Sequence, residues 1–176
     1  VFVVVYISFM GYAGDRVTAW LHPELDPGDT GYQILQSLYA IGSGGLFGLG
    51  YGKSRQKYLY LPFQYNDYIF AVICEELGLV GAMAIVALFA VTILRGYWIA
   101  LNARDRFSTV LAAGLVTLIA VQTILNLCVV TNLLPSTGIA LPFFSYGGTA
   151  LAVNLGEMGI VLGISRGRNR RKIQEA

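Results

Sequence analysis

Three apolar segments govern what this chain can become: residues 68–94, 107–130 and 146–164. Each is close to or longer than the roughly 20 residues an α-helix needs to cross a bilayer. The first is long enough to tilt or to extend beyond the hydrocarbon. A buried helix of a water-soluble protein can also be apolar on every side. Three such segments in 176 residues, with glycine spread through them, point to a membrane instead. Composition agrees, since only 12% of residues are charged, about half the share of an ordinary soluble domain. The expected fold class is all-α: a polytopic membrane helix bundle with a long extracytoplasmic loop.

Orientation follows from the basic residues. Arg95, Arg104 and Arg106 lie in the connector 95–106, and Arg166, Arg168, Arg170, Arg171 and Lys172 lie in the tail 165–176. Three alternating spans put these two segments on one side. The connector 131–145 has no Lys or Arg. The positive-inside rule therefore makes 95–106 a cytoplasmic loop and 165–176 a basic cytoplasmic tail. That tail suits contact with anionic lipid rather than nucleic acid. Residues 12–67 then form the extracytoplasmic loop, and 131–145 an extracytoplasmic connector. Residues 1–11 are apolar but too short to cross at 1.5 Å per residue. They lack a basic start and a small-residue cleavage site, which argues against a signal peptide. They read as the end of a truncated transmembrane helix. Cys74 and Cys128 both sit in apolar runs and are too few for a disulfide framework or a metal site.

Within the outer loop, residues 32–41 (YQILQSLYAI) place Ile34, Leu35, Leu38 and Ile41 on one side of a helix. That pattern predicts a short helix lying on the membrane surface. The glycine-rich run 42–52 predicts a flexible turn region. Two lookalike motifs fail on context. The stretch 48–54 (GLGYGKS) resembles a phosphate loop, but Phe47 stands where the first glycine must be, and no strand precedes it. Residues 134–138 (LPSTG), followed by a span and a basic tail, have the layout of a sortase signal. They follow a membrane helix after a short gap, which leaves a sortase little room. Pro135 and Pro142 fit a tight outer connector instead.

The notable carboxylate is Asp67, where the aqueous loop meets the first span. Asn66 or Asp67 is placed to cap that helix. Asp67 is equally placed to act as a general base at the membrane surface. Glu75 and Glu76 lie further into the same span, where charge is costly and turns inward. At 100° per residue, Glu75 is about 80° from Asp67 and Glu76 about 180°, so Glu75 is the expected companion. Glu157 raises the same question in the last span, with an interhelical hydrogen bond as its plain reading. Lys53, Arg55 and Lys57 are spaced to grip a diphosphate, or to serve as ordinary juxtamembrane charge. His22, beside Pro23, reads as a surface residue.

Several blocks together resemble one family. They are Gly31-Tyr32-Gln33 with Gln36-Ser37, Leu61-Pro62, Asn66-Asp67-Tyr68-Ile69-Phe70-Ala71 with Glu75-Glu76-Leu77-Gly78, and residues 134–139 with 141–148. Their order and spacing are similar to the C-terminal half of the SEDS peptidoglycan glycosyltransferases, the FtsW/RodA/SpoVE type. The division and sporulation branches resemble the chain more than the rod-shape branch. The resemblance implies polymerisation of lipid II at the outer face of the bacterial plasma membrane, in cell division or cell-wall synthesis. It implies Asp67 as the catalytic residue, with Lys53, Arg55, Lys57, Glu75 and Ser145 as substrate-binding groups. It implies a divalent cation, Mg or Mn, as a possible helper. The implied partners are a class B penicillin-binding protein and other division or elongation proteins. Phe63 stands where the family often has Glu, and Tyr65 where it often has His. A lipid II flippase and a non-catalytic scaffold for the transpeptidase are the competing readings.

Overall fold

A computed structural model describes residue 14 and residues 16–25, 30–54 and 67–174. The expectation for 1–11 lies outside these residues, as do Arg55 and Lys57. Four helices follow a helical turn at 16–21 and a 3-10 turn, Pro23–Leu25: α1 (Thr30–Gly44), α2 (Ile69–Leu101), α3 (Arg106–Val130) and α4 (Gly148–Gln174). No strand occurs among the described residues. Ile69–Leu101, Arg106–Val130 and Gly148–Gly167 are long and apolar enough to cross a membrane.

Helix α2 is longer than the apolar segment that predicts it, continuing past 94 to Leu101. Its charge-free stretch between Glu76 and Arg95 spans about 27 Å at 1.5 Å per residue, close to the hydrocarbon thickness. The remaining turns extend beyond that zone at both ends. Toward the C-terminal end of α2 the Arg95 guanidinium lies over the Trp98 ring, 4.9 Å from its centroid, which suits an interfacial anchor. Asn102 ends the helix and returns its side-chain amide to the Trp98 carbonyl at 2.8 Å. Helix α3 begins at once, capped by Asp105, whose carboxylate accepts from the Ser108 N–H at 3.0 Å. Those Ser108 bonds hold the Asp105 carboxyl below its ordinary range. The connector between α2 and α3 is therefore only 102–105.

Helix α2 is broken once. Gly78 has φ 67° and ψ −169°, a combination open only to glycine. A break frees carbonyls on one side and amides on the other, which is costly at the edge of a bilayer. The loop after α1 fills the gap. Leu49 and Gly50 donate their N–H groups to the Glu75 and Glu76 carbonyls at 2.9 and 3.0 Å. Leu79 and Val80 donate to the Gly45 and Leu46 carbonyls at 2.9 and 3.2 Å. A side chain on Gly48 would run into the Glu76 carbonyl, and one on Gly78 into the Gly48 amide. The glycine-rich run is thus bonded into the helix break, and is not the flexible turn region its composition predicts.

Helix α1 packs on the protein through a line of mostly small residues. Its buried line is Gly31, Ile34, Ser37, Ala40 and Gly44, small residues that let two backbones approach closely. Gly44 abuts the Cys74 carbonyl. The Ser37 hydroxyl lies within bonding distance of the Ile34 carbonyl at 2.8 Å and the Val130 carbonyl at 3.3 Å. Leu35, Leu38 and Ile41 are only half-buried. The outer core gathers Ala40, Tyr68, Phe70, Cys74, Phe89, Val130 and Leu141, and an inner cluster joins Ala100, Ala112, Val116 and Val161. Helix α4 buries one narrow line, Asn154, Glu157 and Val161.

A carboxylate site at one end of the membrane helices

Asp67 lies in the turn just before α2, half-buried. The N-cap of α2 is Tyr68, and no side chain caps the helix. The Asp67 carboxylate is therefore not spent on the helix's free amides, as one of the sequence readings has it. It faces the connector 131–145, where Gly138 packs beside its Oδ2. The connector is held over it from two sides. From the helical turn at 16–21, Arg16 donates Nη1–H to the Ser136 carbonyl at 2.7 Å, and Trp20 donates Nε1–H to the Asn132 carbonyl at 3.0 Å. From α3, the Asn126 amide donates to the carbonyls of Asp67 and Ile139, each at 2.8 Å. Tyr68 adds a long contact from its hydroxyl to Ser136 Oγ, 3.4 Å. The LPSTG segment is thus the wall of the carboxylate site.

Burial pushes the Asp67 pKa up, and the Arg16 guanidinium pulls it part of the way back. Burial disfavours the charged form, while a nearby cation favours it. The result is a carboxylate that holds a proton more readily than a solvated one, at the edge of the aqueous phase. Such a group suits proton transfer better than helix capping.

The other sequence candidates group elsewhere. Glu75 is 1% exposed and accepts a hydrogen bond from the Ser54 hydroxyl. It ties the end of the inserted loop to α2 and does not meet Asp67 in any described contact. Glu76 is buried beside it, and its Oε1 has no hydrogen-bond partner among the described residues. Lys53 is exposed next to Ser54. Its backbone N–H donates to the Gly50 carbonyl at 3.1 Å, and its side chain passes beside Gly50. Ser145 closes the connector's last turn, where its Oγ accepts from the Leu141 N–H at 2.7 Å. Glu157 is buried in α4 with Oε2 unpartnered among the described residues. His22 is exposed, 3.4 Å from the Glu24 carboxylate. For a divalent cation, the described residues offer no cluster of three His, Cys, Asp or Glu, and Asp67 has Arg16 for a neighbour. They do not by themselves fit a chelated ion.

Two members of the site escape sequence reading. Arg16 is far from Asp67 along the chain and looks like ordinary loop charge. Asn126 carries a better signal, an amide inside an apolar span, where a polar group must find a partner.

Comparison with known proteins fits this arrangement. Residues 1–170 match the model of the FTSW_RODA_SPOVE family, described as cell cycle proteins. Stage V sporulation protein E of Bacillus subtilis is 50% identical over 155 residues, covering 88% of this chain and 42% of that protein. A protein of Trichlorobacter lovleyi named a probable peptidoglycan glycosyltransferase FtsW is 45% identical, over 94% of this chain and 44% of its own length. Among solved structures, a chain of a peptidoglycan synthase complex superposes with TM-score 0.73 at 29% identity, over 93% of this chain and 44% of that one. The rod-shape-determining protein RodA of Thermus thermophilus, as a point mutant, gives TM-score 0.59 at 32% identity, over 75% of this chain and 40% of its own. The chain spans less than half the length of these relatives. It belongs to the FtsW/RodA/SpoVE family of multi-pass bacterial membrane proteins, on the FtsW-like side.

Proposed function

We propose that the protein is a peptidoglycan glycosyltransferase that joins lipid II units into glycan strands at the outer face of the plasma membrane. The observation that carries this reading is the Asp67 carboxylate. It is half-buried, raised in pKa and free of any capping duty, at the outer end of the membrane helices. The names of the FtsW relatives, probable peptidoglycan glycosyltransferases, support the same reading.

The sugar hydroxyl of one lipid II attacks the anomeric carbon of a second, lipid-linked glycan. A new carbon–oxygen bond forms there, and the bond from that carbon to the diphosphate oxygen breaks. Undecaprenyl diphosphate leaves with the electron pair. Asp67 takes the proton of the attacking hydroxyl as the bond forms. Lys53, with Arg55 and Lys57, stabilises the negative charge growing on the diphosphate. The protein that supplies the crosslinking step is a class B penicillin-binding protein. The name of the solved neighbour, a peptidoglycan synthase complex coordinating polymerization and crosslinking, supports that pairing.

The test is polymerisation of lipid II by the full-length protein with its transpeptidase, comparing wild type with Asp67→Asn. Strands from wild type and none from a folded mutant support the enzyme. Equal product from both sinks the role of Asp67. Arg16 gives a second expectation. Its charge lowers the Asp67 pKa, so Arg16→Met leaves that pKa higher still. The acid limb of the rate profile, where Asp67 gains its proton, is expected to move to higher pH. A limb that stays in place would separate Arg16 from the titration of Asp67.

A further inference from the structure

We infer that Asn126 is a positioning residue for the Asp67 chemistry, setting where the carboxylate stands without touching substrate. The inference rests on the glycosyltransferase reading above and adds a residue to that site.

Asn126 is 1% exposed, near the outer end of α3. Its side-chain nitrogen has two hydrogens, and both are used. One goes to the carbonyl of Asp67 itself and the other to the carbonyl of Ile139, each at 2.8 Å. Its Oδ1 is buried with no partner among the described residues. The orientation of the amide is fixed by these neighbours, because a flipped side chain would set its oxygen against two carbonyl oxygens. One rigid NH2 therefore clamps the residue that carries the carboxylate to the connector that walls it. Ile139 follows Gly138, the residue beside the Asp67 carboxylate. The spacing of base to wall is thus set by a single side chain from a third element.

Neither carbonyl has another side-chain donor in the described contacts. Removing the amide leaves two half-buried carbonyls without this donor and lets the turn and connector drift apart. A displacement of about 1 Å at a reacting group can cost on the order of 10²-fold in rate. That loss falls on kcat, since the clamp makes no substrate contact.

The experiment uses the full-length protein with its partner and compares four forms: wild type, Asp67→Asn, Asn126→Leu and Asn126→Asp. Polymerisation is read as kcat and KM for lipid II per folded molecule, from pH 6 to 9. Asn126→Leu keeps the size and has no donor. It is expected to lower kcat by about 10²-fold with KM nearly unchanged, at every pH. Asn126→Asp is almost isosteric. As a neutral acid it donates one of the two bonds, and once ionised it donates none. Its activity relative to wild type is expected to fall as pH rises, a trend that a purely structural role would not produce.

If Asn126→Leu and Asn126→Asp match wild type per folded molecule while Asp67→Asn is inactive, the clamp is overturned and the enzyme reading stands. If both lose only folded yield, with normal kcat in what remains, Asn126 serves stability alone and the inference fails. If wild type and Asp67→Asn polymerise equally, the underlying reading of Asp67 fails instead.

Discussion

Asp67→Asn is expected to lower kcat for glycan polymerisation by about 10²–10⁴-fold, the usual worth of a positioned general base, while the protein stays folded. The two side chains are nearly the same size, so the Gly138 wall remains in contact. The backbone carbonyl of residue 67 still receives the Asn126 amide. No helix cap is lost, because Tyr68 holds the N-cap position without side-chain help. The charge itself is unfavourable to folding here. Burial raises the Asp67 pKa, so the folded state binds the proton more tightly than the unfolded one. Above the raised pKa, the ionised group makes the folded state less stable than a neutral one would. A neutral amide removes that cost, and thermal stability at pH 8 should equal or exceed wild type. The two readouts move independently: rate collapses, stability does not. A capping aspartate would do the reverse, losing stability with little change in rate per folded molecule. Steady-state polymerisation of labelled lipid II, beside thermal unfolding in the same detergent, distinguishes the two.

The membrane helices are legible because hydropathy is a one-dimensional signal. Segments 107–130 and α3 nearly coincide, since a charged residue and a polar turn mark both ends. Segment 68–94 stops at Arg95, but α2 does not. Composition detects the hydrocarbon boundary, whereas the helix ends where Asn102 caps it. What is lost is the shape made between segments. Glycines at 45, 48, 50 and 52 all have positive φ, which composition reads as freedom. In the fold they are the condition for backbone to approach backbone at Gly78. The face that α1 packs against its neighbours is missed for a related reason. Its tight face is chosen by smallness, and Gly31, Ser37, Ala40 and Gly44 outrank Leu35 and Leu38 there.

At the site, Asp67 stands out in the sequence because a carboxylate at the start of a membrane span is rare. Its surroundings do not stand out. Arg16 and Asn126 reach it from segments far along the chain, and LPSTG carries a distracting likeness. Glu75 illustrates the opposite error. Helical geometry places it as the companion of Asp67, but that projection assumes Asp67 is already in the helix. Asp67 lies in the turn before it, and Glu75 bonds Ser54.

Gly78→Ala is expected to cost about 5 kcal/mol of stability, more than an ordinary substitution. Two terms contribute. At φ 67° and ψ −169° a β-carbon is strained by about 1–3 kcal/mol. The new methyl also meets the Gly48 amide and the Leu46 carbonyl. The loop must then leave the break, and its four backbone hydrogen bonds with α2 go with it, each worth about 1 kcal/mol net. Alanine gives α2 a way to relieve itself, by winding through residue 78 as a regular helix. The loop has no such relief, because Leu49 and Gly50 lose the carbonyls they were bonded to. Its departure also pulls Ser54 from Glu75, leaving a carboxylate with lost hydrogen bonding at the membrane edge. The loop should therefore become open to a protease added from the outer side, before global unfolding. Gly114→Ala is the matched control. It sits in regular helix with open space around it and is expected to be neutral or slightly stabilising. If Gly78→Ala unfolds at the same temperature as Gly114→Ala and its loop stays resistant to protease, the break in α2 is not held by the loop.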